Sequence, residues 1–343
     1  MASVSIDNVS VVFGKEKKAM DFADNGFSRA EIKQKTGIIL GVHDCSLTVE
    51  EGQTVVLMGL SGSGKSTLLR TVNGLAGPAR GRVVLNHQGQ DFCVNSLRPR
   101  DLYWVRTHLV SMVFQQFGLL PWRSVADNVG LGLEIAGTGR QKARSLIMQQ
   151  LELVGLEQWA DVPVSELSGG MQQRVGLARA FATGAPVLLM DEPFSALDPL
   201  IRSHLQAELL ALQHRFKKTI LFVSHDLGEA IRMGDKIALM QDGHIVQTGT
   251  PKEIVLSPAS DHVAEFVQDI NRLNFLTAAD IMRPYEAEAA KHSFAAIVQA
   301  ETPLKTLIRL ACQKPGVIGV AGKTGLVGFI LVDDIIIYLC NTK

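Results

Sequence analysis

A chain of 343 residues with 34 basic and 34 acidic side chains carries no formal net charge. At 46% hydrophobic and 20% charged residues it has ample material for a core, which excludes wholesale disorder, and the balanced charge gives no global sign of nucleic-acid binding. The length accommodates two domains.

The start, MASVSIDNVS, has neither a basic region nor a long apolar core, so no secretory signal is expected. The longest apolar run, GLVGFILVDDIIIYLC, is cut by Asp333 and Asp334, so no membrane span is expected either. Cys45, Cys93, Cys312 and Cys340 are scattered, form no C-x-x-C pair and read as reduced thiols.

In chain order, the alternation of SVSIDNVSVVF predicts a half-buried strand over 3–13. Residues 14–40 are more polar and interrupt the pattern, with Ser28 to Glu31 as a capping box that opens a short helix. Strand character returns at 44–49, and QTVVLM at 53–58 reads as a buried strand. It runs straight into GLSGSGKST, which fits G-x-x-x-x-G-K-[ST] without mismatch and leads into a helical run. Gly59, Leu60, Ser61, Gly62, Ser63 and Gly64 form the turn. A phosphate loop points successive N–H groups at an anion on the positive end of a helix. Lys65 would neutralise β- and γ-phosphate charge, Ser66 would offer its hydroxyl to Mg²⁺, and the helix LLRTVNGL follows Thr67.

Gln115, in MVFQQF, follows a strand-like run, and its amide can reach Mg²⁺ and water. Helical stretches are expected at about 124–154, 170–183 and 199–216. LSGGMQQR (167–174), a second glycine-rich turn that lacks a lysine, leads into the second of these. VLLMDEP (187–193) ends an apolar strand with two acids. Carboxylates at the C-terminal edge of a parallel sheet face the ligand crevice, so Asp191 would hold Mg²⁺ and Glu192 would orient or deprotonate an attacking water. ILFV (220–223) reaches the same edge and places His225 for the γ-phosphate. KIALMQDGHIVQTG (236–249) reads as a hairpin around Asp242-Gly243. Composition shifts near 272, and a strand and helix pattern resumes after 293, so a second small domain is expected at 277–343.

Taken together, GLSGSGKST, the glutamine of VFQQF, LSGGMQQR, VLLMDEP, SALD (195–198) and the histidine of SHD resemble the ATP-binding subunits of ABC transporters, in that order and spacing. The resemblance covers about residues 3–255. It implies an α/β P-loop domain over 1–272, with a mixed sheet, antiparallel strands and a helical subdomain at about 116–168. It implies ATP and Mg²⁺ as cofactors, with Glu192 as catalytic base and His225, Gln115 and Lys65 supporting it. The metal would be held by Ser66, Gln115 and Asp191. Gln115 would also connect to the membrane partner, and Asp198 would sit in a loop that communicates across a dimer. Ser168, Gly169 and Gly170 would meet the γ-phosphate held by a second copy, which is why LSGGMQQR needs no lysine of its own. An aromatic residue stacks on adenine in this family; Phe13 is the choice, with Phe22 and Phe27 as competitors.

EIKQKTGIILGVHDCSLTVEEG and MVFQQFGLLPWRSVADNVGLGLEIAG further resemble the ATPases of quaternary amine importers, those for glycine betaine, proline betaine and choline. That subgroup implies transmembrane permease subunits, a periplasmic or extracellular substrate-binding protein, a place at the cytoplasmic face of the membrane, and no nucleic acid. Its members often end in paired CBS motifs, whereas the tail here resembles one, a small α+β domain. The competing readings are an ABC ATPase for another small solute and a soluble ABC ATPase acting on DNA or ribosomes. A long coiled-coil insert before LSGG or a duplicated ATPase domain would favour the soluble reading, and neither is present.

Overall fold

In the computed structural model, which describes residues 2–14, 16–268, 270, 276–285, 293–322 and 325–340, the apolar runs read from the sequence become strands of two sheets. One is antiparallel and takes β1 (Ala2–Phe13), β2 (Ile39–Val49), β4 (Arg80–His87) and β5 (Gln90–Cys93) in the order β2-β1-β4-β5. The other takes β3 (Thr54–Met58), β6 (Val110–Val113), β7 (Val187–Asp191), β8 (Thr219–Val223), β9 (Lys236–Gln241) and β10 (His244–Gly249) in the order β10-β9-β3-β8-β7-β6. Five of these strands are parallel, and β10 folds back antiparallel on β9 through the Asp242-Gly243 turn. Every residue of β3, β7 and β8 is buried, as expected where a parallel sheet is covered on both faces. The registers Leu57↔Val223, Asp191↔Val223 and Val113↔Met190 bring the C-terminal ends of β3, β8, β7 and β6 to one edge.

The core joins the two sheets. Val4, Ile6 and Leu47 of the antiparallel sheet, Val55, Leu57, Leu189 and Leu221 of the parallel one, and Leu68 and Leu69 of helix Lys65–Val72 lie in one buried cluster. Each such side chain contributes about 1.5–3 kcal/mol of hydrophobic stabilisation. The first turn of that helix is therefore fixed by the core beneath it.

Residues 14–40 fold as two helices, Glu16–Asp24 and Arg29–Thr36. Ser28 caps the second: the Glu31 N–H donates to its Oγ, and its own N–H donates back to the Glu31 carboxylate at 2.8 Å. Ala19, Met20, Ala23 and Ile32 make a satellite core with Val12, Ile38 and Leu40. The helical stretch expected at 124–154 is two helices, Val125–Ile135 and Arg140–Leu153. The glycines of AGTG stand between them, and Gly137 takes φ 72°. Both helices share a core with helix Gly169–Ala182 through Val129, Leu133, Leu151, Val175 and Ala178.

The chain divides into two compact units, Met1–Ile254 and Val255–Lys343. The described part of the second has a sheet of β11 (Arg283–Pro284), β12 (Phe294–Gln299), β13 (Val317–Gly322) and β14 (Gly325–Ile330) in the order β11-β14-β13-β12. Helix Leu304–Gln313 crosses between the parallel pair β12 and β13, and Leu304, Leu307, Ile318, Val320, Ile330 and Ile335 fill its core. Residues 286–292 lie outside the described residues, as does the side chain of Cys340; Cys45, Cys93 and Cys312 are free thiols. Among the described residues no helix is long and apolar enough to cross a membrane.

Candidate active site

The loop after β3 is closed around itself. A Cβ at Gly59, where φ is 139°, would stand 2.1 Å from the Met240 carbonyl oxygen, so the loop passes β9 at a distance only glycine permits. The Gly243 N–H donates to the Ser63 carbonyl at 3.1 Å, tying the loop to the β9–β10 turn. Lys65 is 5% exposed, and its Nζ donates to the carbonyls of Gly59 at 2.9 Å and Leu60 at 3.0 Å. Burial pulls its ammonium below the usual lysine value, and the Glu192 and Asp191 carboxylates oppose that shift. The Ser63 hydroxyl is buried and has no hydrogen-bond partner among the described residues. An ammonium facing carbonyls, a bare hydroxyl and a helix N-terminus together fit a polyanion as occupant.

At the ends of β7 and β8 the expected residues meet. Ser66 Oγ donates to Asp191 Oδ1 at 2.6 Å, and Arg70 Nη2 donates to Asp191 Oδ2 at 3.1 Å. Asp191 is only 2% exposed, so both bonds are needed to stabilise its charge. Arg70 was not among the residues expected from sequence; it lies one helical turn past Ser66, and that spacing was the available signal. Glu192 sits at φ 46°, a conformation costing a non-glycine residue about 1 kcal/mol or more, and its N–H donates to the Val223 carbonyl at 3.1 Å. That backbone places one carboxylate oxygen, Oε2, 3.2 Å from Gln115 Nε2 and 3.2 Å from His225 Nδ1. Gln115 and His225 are both exposed, so this cluster faces solvent at the sheet edge while Asp191 stays beneath it. Ser66, Asp191 and the Gln115 amide are hard oxygen donors of the kind Mg²⁺ takes.

Phe13 is 52% exposed, and a Cβ at Gly41 would stand 2.9 Å from its Cε2 and 3.0 Å from Thr67 Cγ2. The missing side chain at Gly41 thus seats the ring beside the phosphate loop. Phe22 and Phe27 pack edge to face at 5.1 Å against the satellite core, with Lys35 Nζ 4.0 Å from the centre of the Phe27 ring.

The remaining expected residues are not in this cluster. Ser168 caps helix Gly169–Ala182, accepting from the Met171 N–H at 3.4 Å. Ser168 and Gly169 are exposed; Gly170 is buried, where a Cβ would stand 2.8 Å from Ile201 Cγ2. Asp198, also exposed, caps helix Pro199–Phe216 by accepting from the Ile201 N–H at 3.2 Å. No hydrogen bond in the described residues links Ser168 or Asp198 to the residues around Lys65.

A sequence profile described as "ABC transporter" matches residues 42–195. The glycine betaine/carnitine transport ATP-binding protein GbuA of Listeria monocytogenes is 47% identical over 283 residues, covering 82% of this chain and 70% of that protein. The trimethylamine N-oxide transport system ATP-binding protein TmoW of Ruegeria pomeroyi is 40% identical over 337 residues, 96% of this chain and 97% of that one. The dimeric structure of MJ0796, a bacterial ABC transporter cassette, superposes with a TM-score of 0.60 at 30% identity over 72% of this chain and 98% of its own. The chain belongs to the ATP-binding subunits of ABC transporters, a family of ATPases.

Proposed function

We propose that this ATPase energises uptake of a small quaternary ammonium solute, glycine betaine, proline betaine or choline, through transmembrane permease subunits fed by a periplasmic or extracellular binding protein. The observation that carries the solute class is the 47% identity to a glycine betaine/carnitine transport ATP-binding protein across 82% of the chain. The working form is a homodimer at the cytoplasmic face of the membrane. The ATPase domain occupies 1–272, with its helical subdomain at about 116–168. The tail at 277–343 is a single CBS-like unit, supported by its β-α-β-β-α order.

In this reading the N–H groups of Gly59 to Thr67 bind the phosphates, Lys65 turns its ammonium from the loop carbonyls to the β- and γ-phosphates, and Phe13 stacks on adenine. Ser66, Asp191 and Gln115 would hold Mg²⁺, which when bound would supply positive charge against the phosphate charge. Glu192 takes the proton of the attacking water. Gln115 and His225, both on Glu192 Oε2, orient that carboxylate, and His225 then contacts the γ-phosphate. Ser168, Gly169 and Gly170 complete the site of the second copy, and Asp198 lies in the loop between the copies. ATP binds the closed dimer better than the open one, and that difference moves the permease.

A second reading for the solute, trimethylamine N-oxide, is favoured by the alignment that reaches across 96% of the chain, tail included. Uptake of labelled glycine betaine, proline betaine, choline and trimethylamine N-oxide by cells with and without the gene separates the two. Loss of the betaine or choline signal is expected. Loss of the amine oxide signal alone selects the second reading, and no change in any overturns both.

A further inference from the structure

One side chain of the insertion at 14–40 reaches the phosphate loop. Arg29, first residue of helix Arg29–Thr36, donates from Nη1 to the Gly62 carbonyl at 2.8 Å and from Nε to the Leu40 carbonyl at 2.6 Å. Its stem lies against the β9–β10 turn, where a Cβ at Gly243 would stand 3.1 Å from Arg29 Cδ. The same turn holds the next carbonyl of the loop, since Gly243 N–H donates to Ser63 O. Two consecutive carbonyls, those of Gly62 and Ser63, are thus drawn away from the loop interior by groups outside it.

Inward N–H groups require outward carbonyls, because a carbonyl turned inward would face the phosphate oxygens. Gly62 has φ 79°, a region open to glycine from which its peptide can turn over with little steric hindrance. A charged donor on that carbonyl, steadied by its second bond to the Leu40 carbonyl, opposes the turn more strongly than a neutral one. The guanidinium is itself fixed. The Ser28–Glu31 capping box sets the start of its helix and Ile32 is fully buried, whereas the bidentate bridge from Arg80 to Asp24 at 2.8 Å anchors only the preceding helix. Partial burial lowers the Arg29 pKa, and the Asp242 carboxylate opposes that shift.

We propose that Arg29 is a positioning residue for nucleotide binding: it holds the Gly62 carbonyl outward so that the phosphate loop is preformed, and it makes the insertion part of the ATP site. This rests on the chain being an ATPase. The test is steady-state ATP hydrolysis by the purified full chain, with binding of a fluorescent ATP analogue and thermal unfolding alongside. Arg29→Ala should raise KM and weaken analogue binding about tenfold, the effect of losing one charge-assisted hydrogen bond, while kcat changes less than about threefold. Arg29→Lys, which keeps the charge without the fork, should fall between. Arg80→Ala, which cuts the insertion's other anchor, should leave KM within about twofold. If Arg29→Ala does not fold, Arg29→Gln is read in its place with the same expectation. A KM within twofold of wild type in a folded Arg29 variant overturns the proposal, as does an Arg80→Ala rise equal to that of Arg29→Ala. Absence of hydrolysis by the wild-type chain would instead overturn the ATPase reading.

Discussion

The phosphate loop and LSGGMQQR are both glycine-rich turns at a helix N-terminus, yet they are built in opposite ways. In the first, Lys65 is buried on carbonyls of its own loop, and Gly59 passes within reach of the β9 backbone. In the second, neither glycine takes a positive φ, Ser168 and Gly169 are exposed, and Gln172 ties the turn back to the carbonyls of Val164 and Leu167. The loop is a cradle complete within one chain. The other turn is a helix end held rigidly and left open. A donor set without a cation, on a stiff mount, is suited to an anion that arrives already bound elsewhere.

Removing the proposed base while leaving both turns intact has the largest expected effect. Glu192→Gln keeps an amide where the carboxylate meets Gln115 and His225, so ATP still binds, and turnover should fall roughly 10²–10⁴-fold. The variant should also accumulate as a dimer with ATP on size exclusion. Unchanged turnover removes Glu192 as base, and slow turnover without a dimer removes the open turn as the partner's half of the site. Lys65→Ala breaks the cradle itself: binding of an ATP analogue should weaken about a hundredfold, the loss of charge-assisted bonds to phosphate. Binding at wild-type strength would mean the carbonyl-facing ammonium does not turn to nucleotide.

The cradle was legible in the sequence because its determinants lie in nine adjacent residues between a recognisable strand and helix. The carboxylate edge was legible for a related reason: VLLM and ILFV announce buried parallel strands, and such strands deliver the residues at their C-terminal ends to one side of the sheet. The features that escaped depend on contacts between distant positions. Arg29 meets Gly62 across 33 positions, and Arg70 meets Asp191 across 121, and nothing in the local pattern of 14–40 speaks of phosphate. The break inside 124–154 was signalled by the glycines of AGTG, which the apolar periodicity on either side masked. Phe13 stands apart from Phe22 and Phe27 only once Gly41 is seen to make room for it.

Ser168→Arg addresses the open turn alone. ATP analogue binding by one chain should stay near wild type, because Ser168 has no hydrogen bond to the loop. An overfilled interface costs about 2 kcal/mol, so hydrolysis should fall about thirtyfold with loss of the ATP-dependent dimer. Weakened binding in the isolated chain would show that the two turns serve one site within a single molecule.

The most direct comparison comes from adding one methyl group to each turn, and at Gly170 it carries the smallest expected effect. At Gly59 the new Cβ would stand 2.1 Å from a backbone oxygen of β9 that is fixed by the sheet, so Gly59→Ala should abolish analogue binding. At Gly170 the new Cβ would stand 2.8 Å from Ile201 Cγ2, a side-chain methyl of a residue that is 37% exposed, so a small shift of that side chain and its helix relieves the contact. Alanine also favours a helix over glycine by about 1 kcal/mol, which offsets the cost of moving Ile201. Gly170→Ala should therefore change stability by less than about 1 kcal/mol, a shift of roughly 3 °C or less in the unfolding midpoint, with analogue binding unchanged. If Gly170→Ala instead lost binding as Gly59→Ala does, the second turn would be as tightly constrained by its own chain as the first. It would then no longer read as a surface kept open for a partner.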